Sequence, residues 1–76
     1  MIPMTHAVTA EIVATVLSVD VEVGATVGPL DAVIVLESMK MEIPVLADVS
    51  GTVVEISVKP GDVVHDGDPM MMIEEA

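Results

Sequence analysis

A chain of 76 residues has room for one domain, whose small core must pack efficiently to be stable. Thirteen acidic residues against two lysines give a net charge of −11, which repels phosphate backbones and excludes nucleic acid as a ligand. Cysteine and all aromatic residues are absent, so disulfides, zinc–thiolate sites and ring-stacking platforms are excluded, and Val, Ile, Leu, Ala and Met must build the core.

The chain opens on residues 1–9, which show no clear period. Pro3 discourages regular pairing, and the segment reads as a loose lead-in to a domain over residues 10–75. It lacks the positive charge that begins a secretory signal, and no apolar run approaches the length of a membrane span, so a cytoplasmic chain with no membrane contact is expected. Leu17, Val19, Val21 and Val23 then alternate with Ser18, Asp20 and Glu22, a period of two that predicts a strand with one buried face, ended by Gly24. Residues 25–31 form a connection containing Gly28-Pro29, and residues 32–36 are a short apolar run that reads as a buried strand. Residues 43–47 make another short strand, and Asp48-Val49-Ser50-Gly51 a turn. Val54, Ile56 and Val58 alternate with Glu55, Ser57 and Lys59 up to Pro60-Gly61. Asp66-Gly67 turns the chain again, into the closing strand that contains Met70-Met71-Met72-Ile73.

The second half repeats the first. Residues 13–37 lie over residues 50–74 without a gap, matching Thr15 with Thr52, Gly24 with Gly61, Val27 with Val64, Asp31 with Asp68 and Glu37 with Glu74. Two similar β-units, each completing the other's core, predict an all-β, pseudo-symmetric sandwich or flattened barrel. The repeat also places Met70-Met71-Met72 over Val33-Ile34-Val35, which makes these thioethers strand and core residues rather than soft-metal ligands.

Between the residue 32–36 and 43–47 strands lies Glu37-Ser38-Met39-Lys40-Met41-Glu42, which sets Lys40 at a tip and gives the chain its one presented amine. The stretch contains good helix formers and lacks the Asn-Gly or Gly-Gly of a tight hairpin, yet a helix confined to it is too short to stand alone, so pairing of the flanking strands is expected to win and leave a turn. On their own terms a lysine between strands blunts an edge and methionines pack, and Glu37 and Glu42 need no role beyond solvation. Lys59, on the polar side of its strand, reads as solvated; His6 and His65 have no ligand cluster around them and no metal is expected. Nor does any nucleophile stand with a base and an orienting group, so the chain reads as non-catalytic.

Glu37-Ser38-Met39-Lys40-Met41-Glu42, followed by Pro44 and by Ser50-Gly51-Thr52-Val53, resembles the biotinyl domain of biotin-dependent carboxylases and decarboxylases, over residues 10–74 and most closely in its stand-alone single-domain form. The resemblance implies a flattened barrel of two four-stranded antiparallel sheets with quasi-two-fold symmetry, the biotinyl/lipoyl hammerhead. It implies biotin joined covalently to Lys40, with Met39 and Met41 serving recognition by biotin protein ligase. The implied function is a carboxyl carrier between biotin carboxylase and a carboxyltransferase, in an acyl-CoA carboxylase-type system; separately, one small core accounts for the apolar residues, so a monomer is expected in isolation. Two departures stand out. The first unit has Gly24-Ala25 and Leu30 where the second keeps Gly61-Asp62 and Gly67, so its connection is expected to run differently. The connection before the strand leading to Lys40 is also too short for the protruding thumb of some bacterial acetyl-CoA carboxylase carriers. The alternatives are a lipoyl carrier, expected to have Asp before its lysine and a small residue after it, and an unmodified β-scaffold for interactions.

Overall fold

Valine, isoleucine and threonine favour extended backbone, and in the computed structural model, which describes residues 4–76, they form eight strands. These are β1 (Thr5–Thr9), β2 (Ala14–Val19), β3 (Thr26–Val27), β4 (Ala32–Ser38), β5 (Met41–Leu46), β6 (Gly51–Ile56), β7 (Val63–Val64) and β8 (Pro69–Glu75). Two four-stranded sheets, ordered β1-β8-β6-β3 and β5-β4-β2-β7, pair antiparallel throughout. The repeat takes one order onto the other, β1 to β5, β8 to β4, β6 to β2 and β3 to β7. Each unit therefore lends a short strand to the sheet built mainly by the other.

Backbone bonds between the units obey the same symmetry. The Gly61 N–H donates to the Val16 carbonyl at 2.8 Å and the Gly24 N–H to the Val53 carbonyl at 2.7 Å. The Val16 N–H returns to the Asp62 carbonyl at 2.8 Å and the Val53 N–H to the Ala25 carbonyl at 2.9 Å. Neither unit can satisfy these groups by itself, so the halves must order together.

Three strand readings change. The lead-in is corrected first: Thr5–Thr9 is a full strand paired with β8 from Thr5 opposite Glu74 to Thr9 opposite Pro69, while residues 1–3 lie outside the described residues. In β1 only Val8 is buried, so its sequence carries no alternation; the order comes from a partner at the far end of the chain. The two-residue strands β3 and β7 are likewise too short to show a period and exist through pairing with β6 and β2.

The buried face of β2 is the third correction. Ala14 and Val16 point inward, and Leu17 is 42% exposed, because the register of β2 on β4 slips between Val16 and Ser18. The strand ends at Val19, and Glu22–Ala25 forms a turn with Gly24 at φ 98°. The same slip recurs at the matching place in β6, between Val53 and Glu55, and leaves Val54 43% exposed. Each extra residue is a β-bulge that shifts the alternation by one position, so Val19, Val21, Ile56 and Val58 still pack against the core.

A second pair of slips serves the interior. Val33 of β4 and Met70 of β8 are the extra residues there, and each is followed by another fully buried side chain, Ile34 and Met71. A regular strand cannot bury two successive residues on one face; the bulge allows it. The core is completed by Leu36, Val53, Ile73, Val27 and Val64, with no charged side chain buried among the described residues. Met70 and Met71 are thus core, as the repeat requires.

The asymmetry foreseen at Leu30 also holds. Gly67 takes φ 91° in the turn from His65 to Asp68, whereas Leu30, in the matching turn from Gly28 to Asp31, has no positive φ. Asp31 and Asp68 close these turns alike, Oδ2 accepting the Gly28 N–H and the His65 N–H at 2.8 Å each. Asp62 accepts the Lys59 N–H at 3.0 Å, a bond that Ala25 has no side chain to make in the first unit.

Candidate functional site

β4 and β5 are joined by two residues, Met39 and Lys40, with Ser38 directly opposite Met41. Both loop residues have positive φ, 52° at Met39 and 65° at Lys40, the signature of the I′ turn that matches the twist of a two-residue hairpin. Strand pairing does override local helix propensity here. Neither residue is Gly, Asn or Asp, so each costs about 1–2 kcal/mol of backbone strain, held by the six-residue ladder below.

The turn carries its side chains outward. Lys40 is exposed and no carboxylate among the described residues is within ion-pair distance of its Nζ. Met39 is 91% exposed and Met41 65%, so neither does the core packing that a methionine usually does. Two bare thioethers flanking a bare amine cost solvation, and they make sense as a surface for another protein to cover. Replacing Met39 by Asn, which enters the left-handed region more readily, is expected to raise the urea midpoint while slowing any enzyme that grips the methionine; parallel denaturation and modification assays would show the trade.

Glu37 sits directly opposite Glu42, at the last pair but one before the turn. In a two-residue hairpin the Ser38 and Met41 pair is hydrogen-bonded, which makes the Glu pair the closer, non-bonded kind, and like charges placed so repel. Nothing in the sequence period reveals this juxtaposition. Glu42→Lys is expected to convert repulsion to attraction and stabilise the hairpin by about a few tenths of a kcal/mol, read as a higher urea midpoint.

The remaining sequence candidates lie apart from the tip. Lys59 is exposed at the head of the Pro60-Gly61 turn, and His65 approaches only Asp68, Nδ1 to Oδ2 at 3.7 Å, with both side chains in solvent. Among the described residues no three of His, Cys, Asp and Glu gather as a metal site.

The eight-stranded, two-sheet sandwich is the architecture that comparison with known proteins recovers. The family model described as "Biotin-requiring enzyme", for biotin and lipoyl attachment domains, matches residues 2–73. The chain belongs to the biotin/lipoyl attachment family. Among its relatives in this family, a biotinylated protein TB7.3 homologue of Mycobacterium leprae is 53% identical over 70 residues, which cover 92% of this chain and 99% of that one. A region of a single-chain, multi-domain long-chain acyl-CoA carboxylase superposes with a TM-score of 0.90 at 32% identity, covering 100% of this chain and 8% of the carboxylase. The lipoyl domain of the 2-oxoglutarate dehydrogenase complex of Azotobacter vinelandii shares the fold, with a TM-score of 0.72 at 24% identity, 100% of this chain and 99% of that one being covered. Within the family the fold is common to both attached groups, so the side chains around the lysine must distinguish them.

Proposed function

We propose that this chain is a biotin carboxyl carrier and that Lys40 is its attachment site. The observation that carries the reading is the bare Lys40 amine at the apex of the β4–β5 turn, between Met39 and Met41, both in solvent. A biotin protein ligase would cover the methionines and bring Nζ to the carbonyl of biotinyl-adenylate. Nζ loses a proton, its lone pair forms the amide bond, and AMP leaves with the electrons of the acyl–phosphate bond. Among the described residues no carboxylate lies within ion-pair distance of Nζ, so the ligase is the group expected to take the proton.

Bound biotin supplies a ureido nitrogen that can take up and release a carboxyl group. The protein supplies placement. The short hairpin holds the tether's root on a firm ladder, and the arm raises the local concentration of its end at a biotin carboxylase and then at a carboxyltransferase. The net charge of −11 favours partners with basic docking surfaces and, through repulsion between copies, a monomer. The likeness to part of a long-chain acyl-CoA carboxylase favours an acyl-CoA carboxylase-type system, and the four-residue turn Gly28 to Asp31 leaves no room for a thumb.

The test is a comparison of two ligases. Incubated separately with biotin and a biotin protein ligase, and with lipoate and a lipoate ligase, the protein is expected to gain one biotinyl group and no lipoyl group by intact mass. A lipoyl gain alone would move it to the other branch of its family; no gain from either, with the strands intact by circular dichroism, would leave an unmodified scaffold.

A further inference from the structure

The sandwich is open along one side. β1 ends one sheet and β5 the other, each paired on one flank only, and between them runs a groove of about 370 Å³ walled by residues 6–9 and 43–46. These walls are repeat partners, so the groove lies on the pseudo-two-fold axis, and Glu11 and Asp48 at its rim are partners too. The symmetry breaks at Ile12 and Leu36, which line the groove without Val49 or Ile73, their counterparts. Leu36 belongs to β4, so the groove opens toward the half of the molecule that ends in Lys40.

Its chemistry is selective. Counting from the bonded pair Ser38 and Met41, Glu42 and Pro44 turn their backbone groups to the free flank of β5. Pro44 has no N–H, so an incoming strand could not continue the ladder past it. What remains is a mixed lining, with Val8, Ile12 and Ile43 as its apolar part, the Pro44 carbonyl and the carboxylates of Glu11 and Asp48 as acceptors, and His6 and Thr9 as side chains that can also donate. A small, neutral group with an apolar body, N–H donors and one acceptor fits such a lining, and a cyclic urea on a hydrocarbon arm has that chemistry: its N–H groups can meet the carboxylates and its carbonyl His6 or Thr9.

We propose that the biotinylated arm of Lys40 folds back along β5 and rests its ring in this groove. The inference depends on the reading of Lys40 as the biotin site. Reach allows it: Ile43 lies three residues along the strand from Lys40, about 10 Å, and an arm of about eleven bonds of about 1.5 Å spans roughly 14 Å when extended. Acylation is itself the switch. The unmodified Lys40 side chain, about five bonds and roughly 6 Å when extended, falls short of Ile43 and stays available to a ligase, whereas the acylated arm is long enough and neutral enough to enter. Since a short tether gives an effective concentration in the millimolar range, a site of millimolar affinity is about half filled and releases the ring whenever an enzyme competes for it.

Nuclear magnetic resonance of methyl-labelled protein, before and after biotinylation confirmed on Lys40 by mass, tests this. Contacts from the biotin ring protons to the Ile12 and Ile43 methyls are expected, with shift changes along residues 6–9. In Ile12→Lys, at a position already 40% exposed, those contacts should disappear and avidin should capture the biotin about twofold faster, as expected when a half-filled resting site is lost. Biotin on Lys40 with shifts confined to residues 38–41 and no ring contacts would overturn the resting site and leave the carrier reading standing. Failure of Lys40 to accept biotin would overturn both.

Discussion

Gly51→Ala is expected to remove a large part of the fold's stability, although it adds one methyl group. Gly51 is buried in β6 between Val27 of β3 and Glu75 of β8. A Cβ there would overlap the carbonyl oxygen of Glu74 and stand 2.9 Å from Ile73 Cγ2. The obstacle is backbone of the central strand β8, which cannot swing aside as a flexible side chain could. A loss of about 3 kcal/mol is expected, against a total of roughly 4–11 kcal/mol for a domain of this length. Gly24→Ala separates crowding from backbone conformation, since nothing lies within 4 Å of its added Cβ and only φ of 98° is unfavourable; it should lose about 1–2 kcal/mol. Urea midpoints of the two variants, at unchanged m, give the comparison.

Lys40→Arg is expected to abolish carrier function while leaving the fold alone. The guanidinium keeps the positive charge and the side chain's length, but it stays protonated and has no free lone pair with which to attack an acyl-adenylate. Lys40 is exposed and makes no ion pair among the described residues, so stability should stay within about 0.5 kcal/mol of the parent. Transfer of label from bicarbonate to the protein by a biotin carboxylase, after ligase treatment, should fall to background. Lys59→Arg, outside the β4–β5 turn, should match the parent in both measurements.

The repeat and the lysine tip were legible because each leaves a local mark in the chain. Glycines at turns with positive φ recur at Gly24 and Gly61, closing aspartates recur at Asp31 and Asp68, and the single cation in the central acidic stretch marks the hairpin. Six of the eight strands contain runs long enough to read, though β1 is among them only in hindsight, since Thr5–Thr9 buries Val8 alone and is ordered by β8. β3 and β7 hold two residues each and are defined by partners in the other unit.

The bulges were hidden for a different reason. Simple alternation places Leu17 and Val54 inward, and only the cross-strand register shows the extra residue that turns each outward. Valine and leucine at a bulge look no different in sequence from those at a regular pair. Around Lys40 the sequence named Met39 and Met41, but their exposure, the strain they share with the lysine and the facing of Glu37 by Glu42 are properties of the two-residue loop. The groove between β1 and β5 was invisible because its walls come from segments that meet only across the two-fold axis.

The most direct measurement is tandem mass spectrometry of the wild-type protein after treatment with a biotin protein ligase, ATP and biotin, locating the added group on the chain. A single biotinyl group on Lys40, with Lys59 unmodified, is the predicted result. Biotin on Lys59, or no biotin on a protein whose strands are intact, would contradict the assignment of the β4–β5 turn as the attachment site.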